Sequence, residues 1–264
     1  MAVATRDRAR VLGCEIDRLT MAQTVERCLQ IVESGRIGQH VAVNVAKLVA
    51  LQDDPRLREI VAGCDVISAD GQPIVWASRL LRDPLPERVA GIDLMHELLR
   101  VAEATGYRVY FLGARPDVLE RAVARIRVDH PLLEIAGYRD GYFSDAENAA
   151  VAAAIREARA HMLFVAISSP RKEYWLAQYG QTLGVRFLMG VGGTLDVVAG
   201  VRRRAPSWVQ RAGLEWLFRV AQEPRRLGFR YLTTNWAFLA ILVAALKRRV
   251  QRQIRSGTNG GAAR

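Results

Sequence analysis

Three groups of residues in this sequence could do chemistry on a hydroxylated or anionic substrate. Asp70 closes the apolar run Val66-Ile-Ser-Ala69 and is followed by Gly71 and Pro73. A β-branched run, an Asp-Gly pair and a helix-opening proline spell strand, turn and helix. One carboxylate is thereby held at the C-terminal tip of a strand, the edge where open α/β sheets bind ligands. There it could take a proton from a hydroxyl; the alternative is a carboxylate that only closes the turn or caps the helix. The second group is Gly190-Val-Gly192-Gly193, a turn whose amides can approach a phosphate or sugar closely. The third is the crowd of arginines in the last third, Arg202-Arg-Arg204, Arg219, Arg225-Arg226 and Arg230, suited to diphosphate charge.

Several chemistries lack their signatures. The third glycine of a dinucleotide fingerprint would fall at Leu195, and no GxxxxGK[ST] loop is present. No Asp-x-Asp pair occurs, so a diphosphate would be met by arginines or helix N-termini, and no metal ligand is expected. Cys14, Cys28 and Cys64 show no CxxC spacing, and His40, His96, His130 and His161 show no ligand spacing. The cysteines read as buried thiols of a reducing compartment.

The elements that must position these groups alternate along the chain. Thr20-Met-Ala-Gln23 is a capping box opening a helix that runs to Ser34-Gly35. His40 to Asn44 is a short buried strand ending in Asn44, with Lys47 one turn into the next helix. A helix over about 57–62, the Asp70 strand, a helix carrying Trp76 and Arg79, and a helix capped by Asp93 follow. The second half predicts strands at 108–112, 133–136, 162–167 and 185–189, with Gly137 to Phe143 as a loop and Ser144-Asp-Ala-Glu147 as a second capping box. Such alternation predicts an α/β fold, a mostly parallel, doubly wound, Rossmann-like sheet flanked by helices. Asn44, Asp70, Gly113, Ser168-Ser169 and Gly190 to Gly193 all close strands, so they should line one crevice.

The 264 residues carry 38 Lys and Arg against 27 Asp and Glu, a net charge of +11 that favours anionic partners. Met1 to Arg10 is polar and no apolar segment follows, which predicts a core kept in the cytoplasm. Residues 201–255 read as a basic, aromatic-rich helical appendage to an α/β core of residues 1–200, and 256–264 as a disordered tail. Within the appendage the 11 apolar residues Trp236 to Leu246 precede Lys247-Arg-Arg249. As a helix they span about 16 Å, short of a bilayer core of about 30 Å, which predicts a helix dipping into the cytoplasmic leaflet. The other use of such a helix is a core or oligomer contact, which would make a homo-oligomer.

These motifs together resemble the WecG/TagA/CpsF glycosyltransferases, glycosyltransferase family 26. The resemblance rests on Asn44…Lys47, Ala69-Asp70-Gly71…Trp76…Arg79, Pro86-Glu-Arg88-Val-Ala-Gly91-Ile-Asp93, Phe111-Leu-Gly113-Ala114 and Gly137-Tyr138…Gly141-Tyr-Phe143. It continues through Pro170-x-Lys172-Glu173, Gly190-Val-Gly-Gly-Thr-Leu-Asp196…Arg204-Ala-Pro206, Gly213-Leu-Glu-Trp216…Arg219 and Glu223-Pro-Arg-Arg226, in family order from about Val11 to Arg230.

The resemblance implies an inverting, metal-independent hexosyltransferase needing no cofactor. It would move N-acetylmannosamine, its uronic acid, glucose or a similar sugar from a UDP-sugar to a polyprenyl-diphosphate-linked glycan. Its place would be exopolysaccharide, capsule or cell-wall polymer assembly at the inner face of the cell membrane, with no nucleic-acid partner. Asp70 matches the family's general base and Arg88 its pocket arginine. Asn44 matches a sugar-site residue, and Lys47, Gly113, Lys172, Gly190, Gly192, Gly193 and Asp196 fall in the matched substrate-binding motifs. Arg219 and Arg226 fall in what resembles the family's C-terminal appendage, a source of phosphate contacts and membrane attachment. Two positions depart from the pattern: Ala42 replaces a threonine, removing a hydroxyl, and Lys172 replaces a glutamine, adding a cation. Outside the resemblance, charge alone also suits a basic nucleic-acid-binding or membrane-adaptor protein with a degenerate pocket.

Overall fold

The computed structural model describes residues 7–259, apart from the side chains of Arg226, Leu227, Arg230, Val250 and 252–259. It opens with a hairpin where the sequence reading expects only a basic start. Strands β1 (Arg8–Val11) and β2 (Cys14–Asp17) pair antiparallel. Both turn residues, Leu12 and Gly13, have positive φ (51° and 87°), as a two-residue turn matched to strand twist requires. Next come α1 (Met21–Glu33), β3 (Gly38–Val43), α2 (Val45–Asp53), α3 (Pro55–Gly63), β4 (Val66–Ala69), α4 (Gln72–Leu80) and α5 (Gly91–Thr105). The second half holds β5 (Val109–Gly113), α6 (Pro116–Asp129), β6 (Ile135–Arg139), α7 (Asn148–Glu157), β7 (Met162–Ala166), α8 (Arg171–Tyr179), β8 (Phe187–Gly190) and α9 (Thr194–Val198). Three helices close the described chain: α10 (Ser207–Arg211), α11 (Glu215–Gln222) and α12 (Pro224–Asn259).

The six strands β4-β3-β8-β7-β5-β6 form one parallel sheet, so their C-terminal tips share an edge, as the alternation predicts. Side chains alternate between its faces. Val109, Phe111, Met162, Phe164, Phe187 and Met189 bury against α1, α5, α6 and α9. Tyr110, Leu112, Leu163, Val165 and Leu188 bury against α7 and α8. Over the β3–β4 half, Val41, Val43, Ile67 and Ala69 join the hairpin and α2, α3 and α4 in a third cluster.

Local details depart from expectation for physical reasons. Strand β6 takes over the start of the expected loop. Gly137 lies opposite Tyr110 of β5, where a Cβ would come within 2.7 Å of the tyrosine ring, so only glycine fits that pairing. Asp93 does not cap α5: Ala90 holds the cap position and Asp93 sits in the first turn, its carboxylate taken by Arg204. Both capping boxes form as read.

The final helix is the largest revision to the layout. At 36 residues α12 is about 54 Å long. Phe238 and Leu242 are buried in the third cluster, with Ile241, Ala245 and Leu246 packed beside them. Burial of the two large side chains stabilises the core by about 1.5–3 kcal/mol each. The opposite face leaves Phe229, Leu232, Trp236, Leu239 and Val243 exposed, one stripe at 3–4 spacing. Among the described residues no helix is long and apolar enough to cross a membrane. Of the expected tail, α12 carries the backbone to Asn259, and residues 260–264 lie outside the described residues.

Candidate active site

Each strand tip delivers its residue to the shared edge. After β3, Asn44 caps α2: its Oδ1 accepts the Lys47 amide N–H at 2.9 Å, which leaves the side-chain NH2 for a ligand. After β4, the Asp70 amide donates to the Val43 carbonyl at 2.8 Å, which fixes the aspartate beside the tip of β3. Gly71 then turns the chain at φ 148°, and Pro73 lies in the first turn of α4. Asp70 is not the helix cap; that position is Gly71, without a side-chain cap bond. Among the described residues the Asp70 carboxylate accepts no hydrogen bond. Burial raises its pKa above the ordinary aspartate value; Arg219, Arg88 and Lys47 pull it back, Glu215 pushes it up, and burial prevails. A half-buried, unengaged carboxylate with a raised pKa is what a general base requires.

Beside it, Lys47 of α2 and Lys172 of α8 both donate to Glu173 Oε1, at 2.7 and 3.1 Å, with all three side chains buried. The stem of Lys172 crosses the tip of β8. A Cβ at Gly190 would lie 2.6 Å from Lys172 Cε, so the glycine makes room for the lysine. Burial and the neighbouring Lys47 lower the Lys172 pKa to about 8, against the opposing pull of Glu173 and Asp70. Glu173 Oε2 is buried without a partner among the described residues.

The arginine-rich third reaches the same edge through one polar network. Arg88 donates to Glu215 Oε2 at 2.9 Å and to Gln210 Oε1 at 3.2 Å. Gln210 also accepts from Arg204, which donates to Asp93 at 2.6 Å. Glu215 holds Arg219 at 3.0 Å through its other oxygen. Arg219 loses by partial burial and gains more from Glu215 and Asp70, so its pKa is raised. Its side chain stays 53% exposed and open to an anion. Gly213 (φ 68°) seats the turn between α10 and α11 against Trp76 and Gln72 of α4.

The remaining expected residues form a second group on the same edge. Gly113 (φ 93°) has no room for a Cβ, which would meet the Ala166 carbonyl at 2.6 Å, so its glycine serves strand packing. Gly192 (φ 54°) and Gly193 shape the turn into α9, where Asp196 faces Arg202 at 3.9 Å. Arg202 in turn faces Glu223 at 3.3 Å, a second tie to the C-terminal helices. The side chain of Arg226 lies outside the described residues. Among the described residues no three His, Cys, Asp or Glu side chains come together as a metal site.

Sequence reasoning missed Glu173, Glu215 and Gln210 as working parts, and it set Arg204 among the cations for a diphosphate where the structure has it donating to Asp93 and Gln210. Glu173 and Glu215 sit inside the quoted motifs, but only tertiary contact shows which cations they hold.

The model of the glycosyl transferase WecG/TagA/CpsF family matches residues 9–253. An N-acetylglucosaminyldiphosphoundecaprenol N-acetyl-beta-D-mannosaminyltransferase of Bacillus spizizenii is 37% identical over 173 residues, 66% of this chain and 66% of that protein. The Bacillus subtilis protein of the same name is 37% identical over 168 residues, 64% of this chain and 65% of that protein. The aligned stretch thus spans just under two thirds of the length of these curated relatives.

Proposed function

Because the chain belongs to the glycosyl transferase WecG/TagA/CpsF family, we propose that it moves an N-acetylmannosamine-type sugar from a UDP-sugar to a polyprenyl-diphosphate-linked N-acetylglucosamine. The acceptor and the transferred sugar are taken from the names of its relatives. The observation that carries the reading is Asp70: a carboxylate without a hydrogen-bond partner among the described residues, raised in pKa and facing the cations of the strand edge. Asp70 takes the proton of the acceptor hydroxyl as that oxygen bonds to the anomeric carbon. The bond from the anomeric carbon to the diphosphate oxygen breaks, and UDP leaves with the electron pair. Attack opposite the leaving group inverts the anomeric centre.

Arg219, with Arg88 behind it through Glu215, offsets the charge that develops on the diphosphate, and no divalent ion is invoked. The Asn44 amide and the Lys47–Glu173–Lys172 cluster face the sugar. The exposed apolar stripe of α12, with Lys247 to Arg249 at its far end, rests on the inner leaflet of the cell membrane, where the acceptor resides. The product belongs to a bacterial surface polymer.

The decisive experiment replaces Asp70 by Asn and measures transfer and UDP affinity together. Transfer should fall by about 10²–10⁴-fold with UDP affinity held within a few fold. A cleanly folded variant with full turnover overturns the assignment of Asp70, and turnover of the natural chain that requires a divalent ion overturns the role given to Arg219.

A further inference from the structure

Lys47 of α2 and Lys172 of α8 bring two ammonium groups to one carboxylate oxygen, Glu173 Oε1, at 2.7 and 3.1 Å. The Lys47, Lys172 and Glu173 side chains are 6%, 9% and 2% exposed, so water screens none of them well. Two cations on one anion leave an excess positive charge in a buried place, and buried charge is costly unless it is paired. Burial and Lys47 hold the Lys172 pKa down at about 8, the mark of a cation short of counter-charge. An ammonium has three N–H donors, and among the described residues Glu173 is the one side-chain partner of each lysine head. The stem of Lys172 reaches this place because residue 190 is glycine; a Cβ there would lie 2.6 Å from Lys172 Cε.

Asp70 lies between this cluster and the arginines. Arg219 and Arg88 act on it from the side of Glu215, and Lys47 from the side of Glu173. Its own charge helps to hold the Lys172 ammonium, but that charge is lost each time Asp70 takes the proton of the acceptor hydroxyl. The leaving diphosphate has its counter-charge at Arg219, which leaves the lysines for an anion elsewhere on the donor.

We propose that Lys172 selects a donor whose transferred sugar carries a carboxylate, a hexuronate in place of a neutral hexose, and that its ammonium receives that carboxylate. The proposal rests on the transferase reading and narrows its N-acetylmannosamine-type sugar to the acid. A neutral sugar brings only a hydroxyl to the same place and leaves the excess charge as it is.

The test measures by calorimetry, on the full chain without acceptor, the affinities of UDP, UDP-N-acetylmannosamine and UDP-N-acetylmannosaminuronate. The two sugars differ by one carboxylate in place of a hydroxymethyl group. A hydrogen bond to a charged group carries a preference of about tenfold to hundredfold, and the uronate should bind that much more tightly. Lys172→Gln should bring the two sugars within a few fold of each other while UDP keeps its affinity, which also shows that the variant is folded. Equal affinities for the two sugars in the natural chain overturn the proposal and leave the transferase reading standing. A Lys172→Gln variant that keeps the uronate preference overturns it too, because the carboxylate then sits on another cation. So does a variant with an unchanged melting curve that loses affinity for UDP itself, which would make the lysine a diphosphate contact. A natural chain that binds none of the three sinks the transferase reading and the proposal with it.

Discussion

Gly213→Ala isolates the claim that the C-terminal helices must dock for the site to work. The residue has φ 68°, and a Cβ there would lie 2.6 Å from Trp76 Cη2 and 3.1 Å from Gln72 Cβ. A non-glycine residue in the left-handed region costs about 1–2 kcal/mol. Overpacking adds about 1–3 kcal/mol, and the low end applies because Trp76 is 44% exposed and its ring can swing aside. The sum, about 2–3 kcal/mol, shifts the equilibrium between docked and undocked turns roughly 30- to 150-fold. Hydrogen exchange should therefore quicken across residues 207–222 while the strands keep their protection, and kcat/KM should fall as Arg219 leaves Asp70. Gly63→Ala, where a Cβ meets nothing within 4 Å, is the matched control. Adding Trp76→Ala should restore the steric part and leave the backbone part. Natural exchange rates and natural turnover in Gly213→Ala would refute the docking argument.

Three further outcomes follow from the charges. The Lys172 ammonium, with its pKa lowered from 10.5 to about 8, should discharge above pH 8, so kcat/KM should decline there; Lys172→Gln should lack that limb. The sign for stability is opposite: between pH 8 and 10.5 the unfolded chain binds the extra proton, so this group's contribution rises with pH across that window. Glu215→Gln removes the charge that pushes Asp70 up, so the acid limb of kcat/KM should move to lower pH, and an unmoved limb would deny the coupling. His40 donates to or accepts from Ser68 at 2.9 Å inside the sheet, with its pKa lowered by burial from 6.5 to about 3. Below pH 6.5 the unfolded chain takes a proton the folded one refuses. Urea unfolding should then show stability falling by about 1.4 kcal/mol per pH unit from this residue, and His40→Gln should flatten the slope by that amount.

A chain ending at Gly200 offers a last check on layout. It removes Phe238 and Leu242 from the core, so its melting temperature should fall by several degrees. Intact thermal stability would mean that α12 adds nothing to the fold.

Much of this protein is decided locally and was therefore legible in the sequence. Alternating apolar runs, two capping boxes and Pro73 after Asp-Gly determine the elements, because each depends on residues a turn apart. Parallel strands then place Asn44, Asp70 and Gly190 on one edge as a matter of topology. The hairpin at Leu12-Gly13 carried a weaker signal, a lone glycine between short alternating strands. What the sequence could not determine is the pairing of charges. Glu215 between Arg88 and Arg219, Glu173 between two lysines, and Asp93 on Arg204 bring together residues as far as 127 positions apart. Charge carries no periodicity, and the reach of a long side chain is set by where the backbone has already packed. The tertiary structure alone decides that Asp70 is left without a hydrogen-bond partner among the described residues while the acids around it are engaged.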